Sequence, residues 1–499
     1  MKPWAALSRR PAWAAALLGA ASALALPPVF LVPILGFTVP GLLALVGAER
    51  TWRRAAWLGF CFGFAHHVVG LYWITEAILV RANEFWWLVP FAAPGVALLL
   101  APFIAASVLA AWFAPPGWRR VLVLAGAWTL ADLARQFVGT GFPWNPWGSV
   151  WAAATTWGNV MQQPAAWIGA PGLTLLTVLV AALPVLGRRG IAASLAILAA
   201  WAGLGAWRLQ TPQPKPPGVT VALAQGDIAE GHKFDAAFAA SIFSTYLDLT
   251  RQAVLRIHGP GVVIWPETAS PYLLGRDAAA RAAIVQAAEG MPVFAGSIRF
   301  GKDGRPRNTL YAIMGPGPPA ARYDKRHLVP FGEYSPAWLP IQVVPGGGFE
   351  PGHGLVTWTL PGLPPVGPLI CYEAIFPAQV VDEANRPRWL VNVTNDAWFG
   401  NSTGPRQHLA AARLRAVEEG LPLVRAANSG ISAVFDAFGR QTARLGLLKR
   451  GVLLAALPGA LPRTVFARLG LWAPFGLATL LLLVATPWRV LFLRRIARF

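Results

Sequence analysis

Apolar positions follow two different patterns along the chain. A membrane-crossing helix needs about 20 predominantly apolar residues. Runs near 12–26, 28–46, 55–80, 87–114, 120–138, 165–186 and 191–207 predict seven such helices, and a further run near 470–488 predicts an eighth. Between them, residues 218–458 alternate short β-branched runs with helical periodicity. Strands are predicted at 219–224, 262–265, 293–295, 309–314, 368–370, 390–393, 424–426 and 432–435, and helices at 234–257, 278–289 and 405–419. This alternation predicts an α/β sandwich.

The Pro-rich stretch Thr211-Pro-Gln-Pro-Lys-Pro-Pro217 reads as the linker between these regimes. The expected organisation is therefore a seven-helix membrane domain over 1–210, an α/β domain over 218–458, and a last transmembrane helix with a basic tail over 465–499. The first apolar run is short and follows Lys2, Arg9 and Arg10, so a signal peptide cleaved near Ala25 is the alternative for that segment. Either reading gives the later segments the same orientation.

Composition supports the membrane reading. The 499 residues are 55% hydrophobic and 13% charged, against about 25% charged in an ordinary soluble domain. The net charge of +20 raises the question of a nucleic-acid surface, but residues 218–458 are nearly neutral. With the N-terminus inside, Lys2, Arg9, Arg10, Arg50, Arg53, Arg54, Arg119, Arg120, Arg188, Arg189, Arg489, Arg494, Arg495 and Arg498 all fall on the cytoplasmic side, accompanied by one acid, Glu49. This is the positive-inside distribution, and seven crossings then put the α/β block on the outer side. Trp52, Trp86, Trp87, Trp118 and Trp207 stand near segment ends, as an interfacial belt requires. A nucleic-acid partner is not expected.

Three residues in the polar block stand just beyond apolar runs, where a sheet edge would present them. Glu267 follows Val262-Val-Ile-Trp-Pro266, Cys371 follows Pro368-Leu-Ile370, and Lys325 closes Tyr323-Asp-Lys325. A carboxylate, an ammonium and a thiol form a minimal set for acyl transfer through a thioester: a base for the thiol proton, a cation for the developing oxyanion, and a nucleophile. Lysine is scarce, with 6 lysines among the 42 Lys+Arg, so one beside Arg326 suggests a need for a compact charge that arginine's fork does not supply. Taken alone, the three residues also fit a surface lysine, a capping glutamate and a buried cysteine.

The surrounding motifs change that weighting. Ile264-Trp-Pro-Glu-Thr268, Tyr323-Asp-Lys-Arg-His-Leu-Val-Pro-Phe-Gly-Glu-Tyr334, Ile370-Cys-Tyr-Glu373 and Asn395-Asp-Ala-Trp-Phe-Gly400 resemble the carbon-nitrogen hydrolase (nitrilase) superfamily, in that family's order. Attached to seven preceding spans and one following span, they resemble its membrane-bound branch, the apolipoprotein N-acyltransferase family. Trp128-Thr-Leu-Ala-Asp-Leu-Ala-Arg135 and Gly141-Phe-Pro-Trp144 are similar to that family's acid-x-x-Arg helix and Gly-x-Pro-Trp loop. Two positions depart from it: Asp227, where Asn is commoner, and Phe234, where Trp is frequent.

The resemblance implies an αββα sandwich with Glu267 as general base, Lys325 as oxyanion-stabilising residue and Cys371 as nucleophile. It implies that Glu333 orients the lysine or shares its proton, and that Tyr372, Glu373 and Trp398 line the site or its lids. The implied reaction is ping-pong. Cys371 takes an acyl chain from a phospholipid, typically phosphatidylethanolamine, and passes it to the α-amino group of a diacylglyceryl-modified N-terminal cysteine of an apolipoprotein. The implied location is a bacterial inner membrane with the catalytic domain in the periplasm, and no metal or organic cofactor is required.

Two rival readings stay open: a membrane-tethered hydrolase using the same three residues, and a transporter or scaffold with an inactive outer domain. Several other polar features have plainer readings. His66 and His67 are adjacent and point about 100° apart on a helix, a poor metal pair. Asp132 and Arg135 are expected to pair on one helical face. His327, His353 and His408 could each partner Cys371, but the sequence around Cys371 lacks the papain-like signature. Cys61 and Cys371 lie in different regimes and are not expected to pair. The apolar loop Trp338-Leu-Pro-Ile-Gln-Val-Val-Pro345 reads as a membrane-dipping lid or as core.

Overall fold

The computed structural model describes residues 10–80, 82–233, 235–335 and 348–486. Phe234, the loop 338–345, Arg81 and the terminal basic residues Lys2, Arg9, Arg489, Arg494, Arg495 and Arg498 lie outside the described residues. The chain divides into two compact units, Met1–Gln210 with Arg468–Phe499, and Thr211–Ala467.

The first unit is helical. Among the described residues, Trp86–Phe113, Ala165–Leu186 and Arg188–Leu209 are long and apolar enough to cross a membrane, and Pro11–Ala25, Val32–Gly47 and Trp472–Ala485 are shorter apolar helices. Two expected spans differ in extent. The run 55–80 forms a helix over Trp52–Gly70 and a separate short one over Ile74–Leu79. The run 120–138 is helical over Trp118–Ala134. The first helix ends at Gly70, whose carbonyl accepts from the side-chain amide of Asn145 at 3.2 Å, a partner far along the chain that local hydropathy does not reveal. Arg135 pairs with Asp132 at 3.0 Å and donates to the Trp144 carbonyl at 2.6 Å, tying the Gly-Phe-Pro-Trp loop to its helix.

Among the described residues the second unit holds eleven strands: β1 Thr220–Gln225, β2 Gly261–Ile264, β3 Val293–Phe300, β4 Pro306–Ile313, β5 Ala321–Asp324, β6 Val366–Ile370, β7 Trp389–Thr394, β8 Leu423–Ala427, β9 Ser432–Phe435, β10 Gln441–Leu445 and β11 Gly451–Ala456. They form a six-stranded sheet, β11-β1-β2-β3-β4-β5, and a five-stranded sheet, β10-β9-β8-β7-β6. The central strands β1, β2 and β3 are parallel, as are β6, β7 and β8, while the flanking pairs are antiparallel.

Alternation along these strands produces the layers. Val221 and Leu223 of β1 meet Val391, Val393 and Val424 between the sheets. Ala222 and Ala224 of the same strand face the opposite way, against Ile242, Tyr246 and Leu249 of the helix Ala239–Val254. On the far side of the second sheet, Leu390, Leu423 and Phe435 pack with Ala412 and Ala416 of the helix Gly404–Glu419. The result is helix, sheet, sheet, helix. Strands covered on both faces read as continuous apolar runs, which is why β2, β6 and β7 stood out in the sequence.

Candidate active site

The carboxyl ends of β2, β6 and β7 and the end of β5 converge on one buried cluster. Glu267 lies in the turn after β2, Lys325 is the residue after β5, Cys371 the residue after β6, and Asn395 the residue after β7. The turn carrying Glu267 is tight. Thr268 has φ of 44°, and a Cβ on Gly296 of β3 would stand 2.3 Å from the Pro266 oxygen and 2.5 Å from the Thr268 nitrogen. Only glycine lets β3 pass beneath this turn.

Glu267 is 6% exposed and Lys325 1%. The Lys325 ammonium donates to Glu267 Oε1 at 3.1 Å and to Glu333 at 2.9 Å. Asn308 donates to the same two carboxylates, at 2.7 and 3.0 Å. The backbone N–H of Asn395 reaches Glu267 Oε2 at 2.8 Å, and that of Val329 reaches Glu333 at 2.8 Å. Burial by itself would raise the Glu267 carboxyl, but the Lys325 and Lys233 ammoniums outweigh it and hold it below its ordinary value. Burial would likewise lower the Lys325 ammonium, but Glu267 and Glu333 hold it well above its usual range. The pair is thus a carboxylate and an ammonium.

Cys371 sits on a sharp corner. Its φ is 50°, a left-handed conformation that costs a non-glycine residue about 1–2 kcal/mol, and it begins the short 3-10 turn Cys371–Ile375. The Thr394 hydroxyl donates to Sγ at 3.2 Å. Burial pushes the thiol up and the Glu267 carboxylate adds to the rise, while Lys325 acts against it. At rest the sulfur is a protonated thiol, with a carboxylate and an ammonium near enough to act on its charge.

Glu373 is turned to a hydroxyl and to backbone N–H groups. Its carboxylate is buried and accepts from the Tyr323 hydroxyl at 2.6 Å and the Arg326 N–H at 2.7 Å, with the Ile370 N–H at 2.6 Å on its other oxygen. It therefore fixes the ends of β5 and β6, which present Lys325 and Cys371. Tyr372 is buried edge-on against Phe376, with ring centroids 5.2 Å apart. Trp398 is half-buried in the short turn Asp396–Phe399.

Beneath Cys371 lies a second network. His408 places Nε2 3.0 Å from the Cys371 carbonyl oxygen and Nδ1 2.9 Å from Asp396, and Arg425 reaches Asp396 at 2.8 Å. Of the three candidate histidines, His408 thus adjoins Cys371, but it faces the backbone carbonyl, so the arrangement is not a thiol–imidazole dyad. Burial would raise the Asp396 carboxyl, but Arg425 and His408 hold it down at about 2. Among the described residues, Cys371, Asp396 and His408 are the group whose ligand atoms lie within 4.8 Å of one another. The Arg425 guanidinium already supplies the cation there, bonding the same carboxylate. Cys61 and Cys371 are both free.

Sequence reasoning passed over Asn308, Asn395, Lys233, Glu230, Asp396 and Arg425 as site residues, and weighed His408 only as a dyad partner for Cys371. Asn395 and Asp396 lay within a recognised motif, and Lys233 shared the scarcity that marked Lys325. Asn308 carried no local signal.

The sandwich assigns the class. Residues 220–464 match the carbon-nitrogen hydrolase family, and residues 18–183 match the N-terminal domain of apolipoprotein N-acyltransferases. An apolipoprotein N-acyltransferase of Rhodopseudomonas palustris is 39% identical over 492 residues, 91% of each chain. One from Allorhizobium ampelinum is 40% identical over 477 residues, 88% of this chain and 89% of its own. The chain belongs to the apolipoprotein N-acyltransferase family. Among solved structures, an amidase from Nesterenkonia sp. is similar over 49% of this chain and 92% of its own, at 21% identity and a TM-score of 0.37.

Proposed function

We propose that this chain transfers a fatty acyl group from a phospholipid to the α-amino group of an apolipoprotein's diacylglyceryl-modified N-terminal cysteine, with Glu267, Lys325 and Cys371 as the catalytic residues. The observation that carries the reading is the convergence of a buried carboxylate, ammonium and thiol at strand ends, in a chain belonging to that family.

The chemistry runs in two halves. Glu267 accepts the thiol proton as Cys371 Sγ attacks the ester carbonyl carbon, and Lys325 stabilises the oxyanion. The ester C–O bond breaks, the lysophospholipid alkoxide takes the proton from Glu267, and a thioester remains on Cys371. The acceptor amine then attacks the thioester carbonyl. Its proton passes through Glu267 to the departing thiolate, and an amide forms. Phosphatidylethanolamine is the proposed donor.

A lipid substrate fits a chain that carries its own apolar helices. Each buried CH₂ is worth about 0.8 kcal/mol, so the acyl tail stays in hydrocarbon while its ester reacts. We place eight crossings in the inner membrane, adding Trp52–Gly70 and Trp118–Ala134 to the six apolar helices. At 19 and 17 residues and about 1.5 Å per residue these approach the hydrocarbon thickness. The basic residues flanking them favour a cytoplasmic N-terminus and a periplasmic domain over 218–458.

Intact mass spectrometry of the purified protein after incubation with phosphatidylethanolamine tests the proposal, beside Cys371→Ala and followed by a diacylated lipopeptide. An acyl mass gain absent from the variant and discharged onto the peptide amine supports it. Failure to load, or loss of the acyl group to water with the peptide untouched, overturns it in favour of an inactive domain or a hydrolase.

A further inference from the structure

Two lysines contact Glu267. Lys325 meets its carboxylate. Lys233 meets its backbone instead, its Nζ donating to the carbonyl of Glu267 at 2.9 Å, and it is 6% exposed. Lys233 closes the short turn Glu230–Lys233 that follows β1. The same turn supplies Glu230, whose carboxylate accepts from Asn395 Nδ2 at 2.5 Å. Asn395 in turn gives its backbone N–H to Glu267 Oε2 at 2.8 Å. The contacts therefore close a ring through Lys233, Glu267, Asn395 and Glu230, which fixes Glu267 by both backbone and side chain.

The charge balance gives the ring a second consequence. Cys371 is faced by Glu267, Lys325 and Asp396, and Lys233 is close enough to interact with it electrostatically; Thr394 and His408 contact it as neutral hydrogen-bonding groups. Losing the thiol proton to solvent adds negative charge to a pocket that already contains Glu230, Glu267, Glu333 and Asp396, whereas passing it to Glu267 moves that charge onto sulfur and then onto the oxyanion. The compensating cations are Lys325, Lys233 and Arg425. Removing Lys233 leaves four carboxylates against two cations when the thiol ionises to solvent, and takes one nearby positive charge from the sulfur when Glu267 holds the proton.

We propose that Lys233 is a positioning residue of the acyl-transfer site: it anchors the Glu267 turn by its carbonyl and supplies a second positive charge that favours the Cys371 thiolate. The proposal rests on the functional reading of Glu267, Lys325 and Cys371 given above.

The test uses the full-length protein in lipid nanodiscs on a Cys61→Ala background, with Lys233→Met, Lys233→Arg and Glu230→Gln. The rate of Cys371 alkylation by a small neutral reagent is followed between about pH 6 and 9, alongside acyl loading from phosphatidylethanolamine. Lys233→Met is expected to displace the rate–pH line by about one unit to higher pH, about tenfold slower at any given pH, and to slow maximal loading without raising KM for the phospholipid. Lys233→Arg restores most of both. Glu230→Gln, which removes an opposing charge while keeping an acceptor for Asn395, displaces the line to lower pH. A purely structural role for Lys233 predicts no such opposite displacements.

Coincident alkylation lines for Lys233→Met and the parent overturn the proposal, as does a Lys233→Arg variant no better than Met. If Lys233→Met does not fold, the arginine and Glu230→Gln comparisons decide alone. Should the parent itself never load an acyl chain, the acyltransferase reading fails, while the alkylation comparison still decides the role of Lys233.

Discussion

Glu373 accepts the hydroxyl of Tyr323 at 2.6 Å, so a carboxylate two residues beyond the candidate nucleophile holds the strand that delivers the candidate oxyanion-stabilising lysine. The same carboxylate binds the N–H groups of Ile370 and Arg326. Glu373→Gln leaves one oxygen where two accept, and turns an amide donor toward backbone N–H groups. The variant is expected to lose about 1–3 kcal/mol, the usual consequence of an unsatisfied buried group. Thermal unfolding measures the loss, and acyl loading should fall in parallel because Lys325 and Cys371 move together.

Lys325→Met removes the cation that Glu267 and Glu333 share. Breaking a buried pair from one side costs about 3–5 kcal/mol, and losing an oxyanion-stabilising group slows chemistry about 10²–10³-fold. Single-turnover loading should show that slowing even at saturating phospholipid. Lys325→Arg is expected to rescue little, since a forked guanidinium does not fit where a compact ammonium meets two carboxylates. Loading by the arginine variant at near-parental rate sinks the assigned role.

The acid side of stability should report on Asp396. Its carboxyl is held at about 2 in the folded protein, against about 3.9 in an unfolded chain. A depressed folded value stabilises the protein above the unfolded value, and that contribution, about 2–3 kcal/mol, fades as pH falls from about 5 toward 1. Unfolding midpoints of the parent and Asp396→Asn should therefore lie far apart at neutral pH and converge on acidification. Parallel curves across that range contradict the assignment of Asp396 as a buried carboxylate paired with Arg425.

Gly296→Ala tests the approach of β3 to the Glu267 turn. The new methyl would meet backbone atoms at 2.3 and 2.5 Å, which do not yield as a flexible side chain does. A loss of about 1–3 kcal/mol is expected, together with reduced loading as Glu267 shifts. Unfolding and loading that both match the parent would show that the turn has slack.

How far the sequence reveals this architecture depends on where each residue gets its partners. Cys371 and Glu267 are legible because β6 and β2 are buried on both faces and read as apolar runs broken by one polar residue. The strands β5, Ala-Arg-Tyr-Asp, and β10, Gln-Thr-Ala-Arg-Leu, escape notice because they are sheet edges interrupted by polar side chains, with Arg322 and Arg444 exposed. Helix 234–257 begins later than expected, at Ala239, after a turn capped by Asp235. Asn308 and Lys233 act on Glu267 from 41 and 34 residues away, and no local spacing encodes such distances. His408 meets the Cys371 carbonyl across 37 residues, for the same reason.

The corner that presents Cys371 also governs how the protein ages. Thiolates, not thiols, attack disulfides and are captured by oxidants. A thiol on a residue that is only 8% exposed, kept protonated by burial, exchanges poorly with both. A free cysteine facing an oxidising compartment is ordinarily short-lived. On the proposed periplasmic placement and the proposed role of Cys371, this one is shielded until a substrate ester reaches it, so its chemical lifetime is set by encounter with lipid and not by the surrounding redox poise.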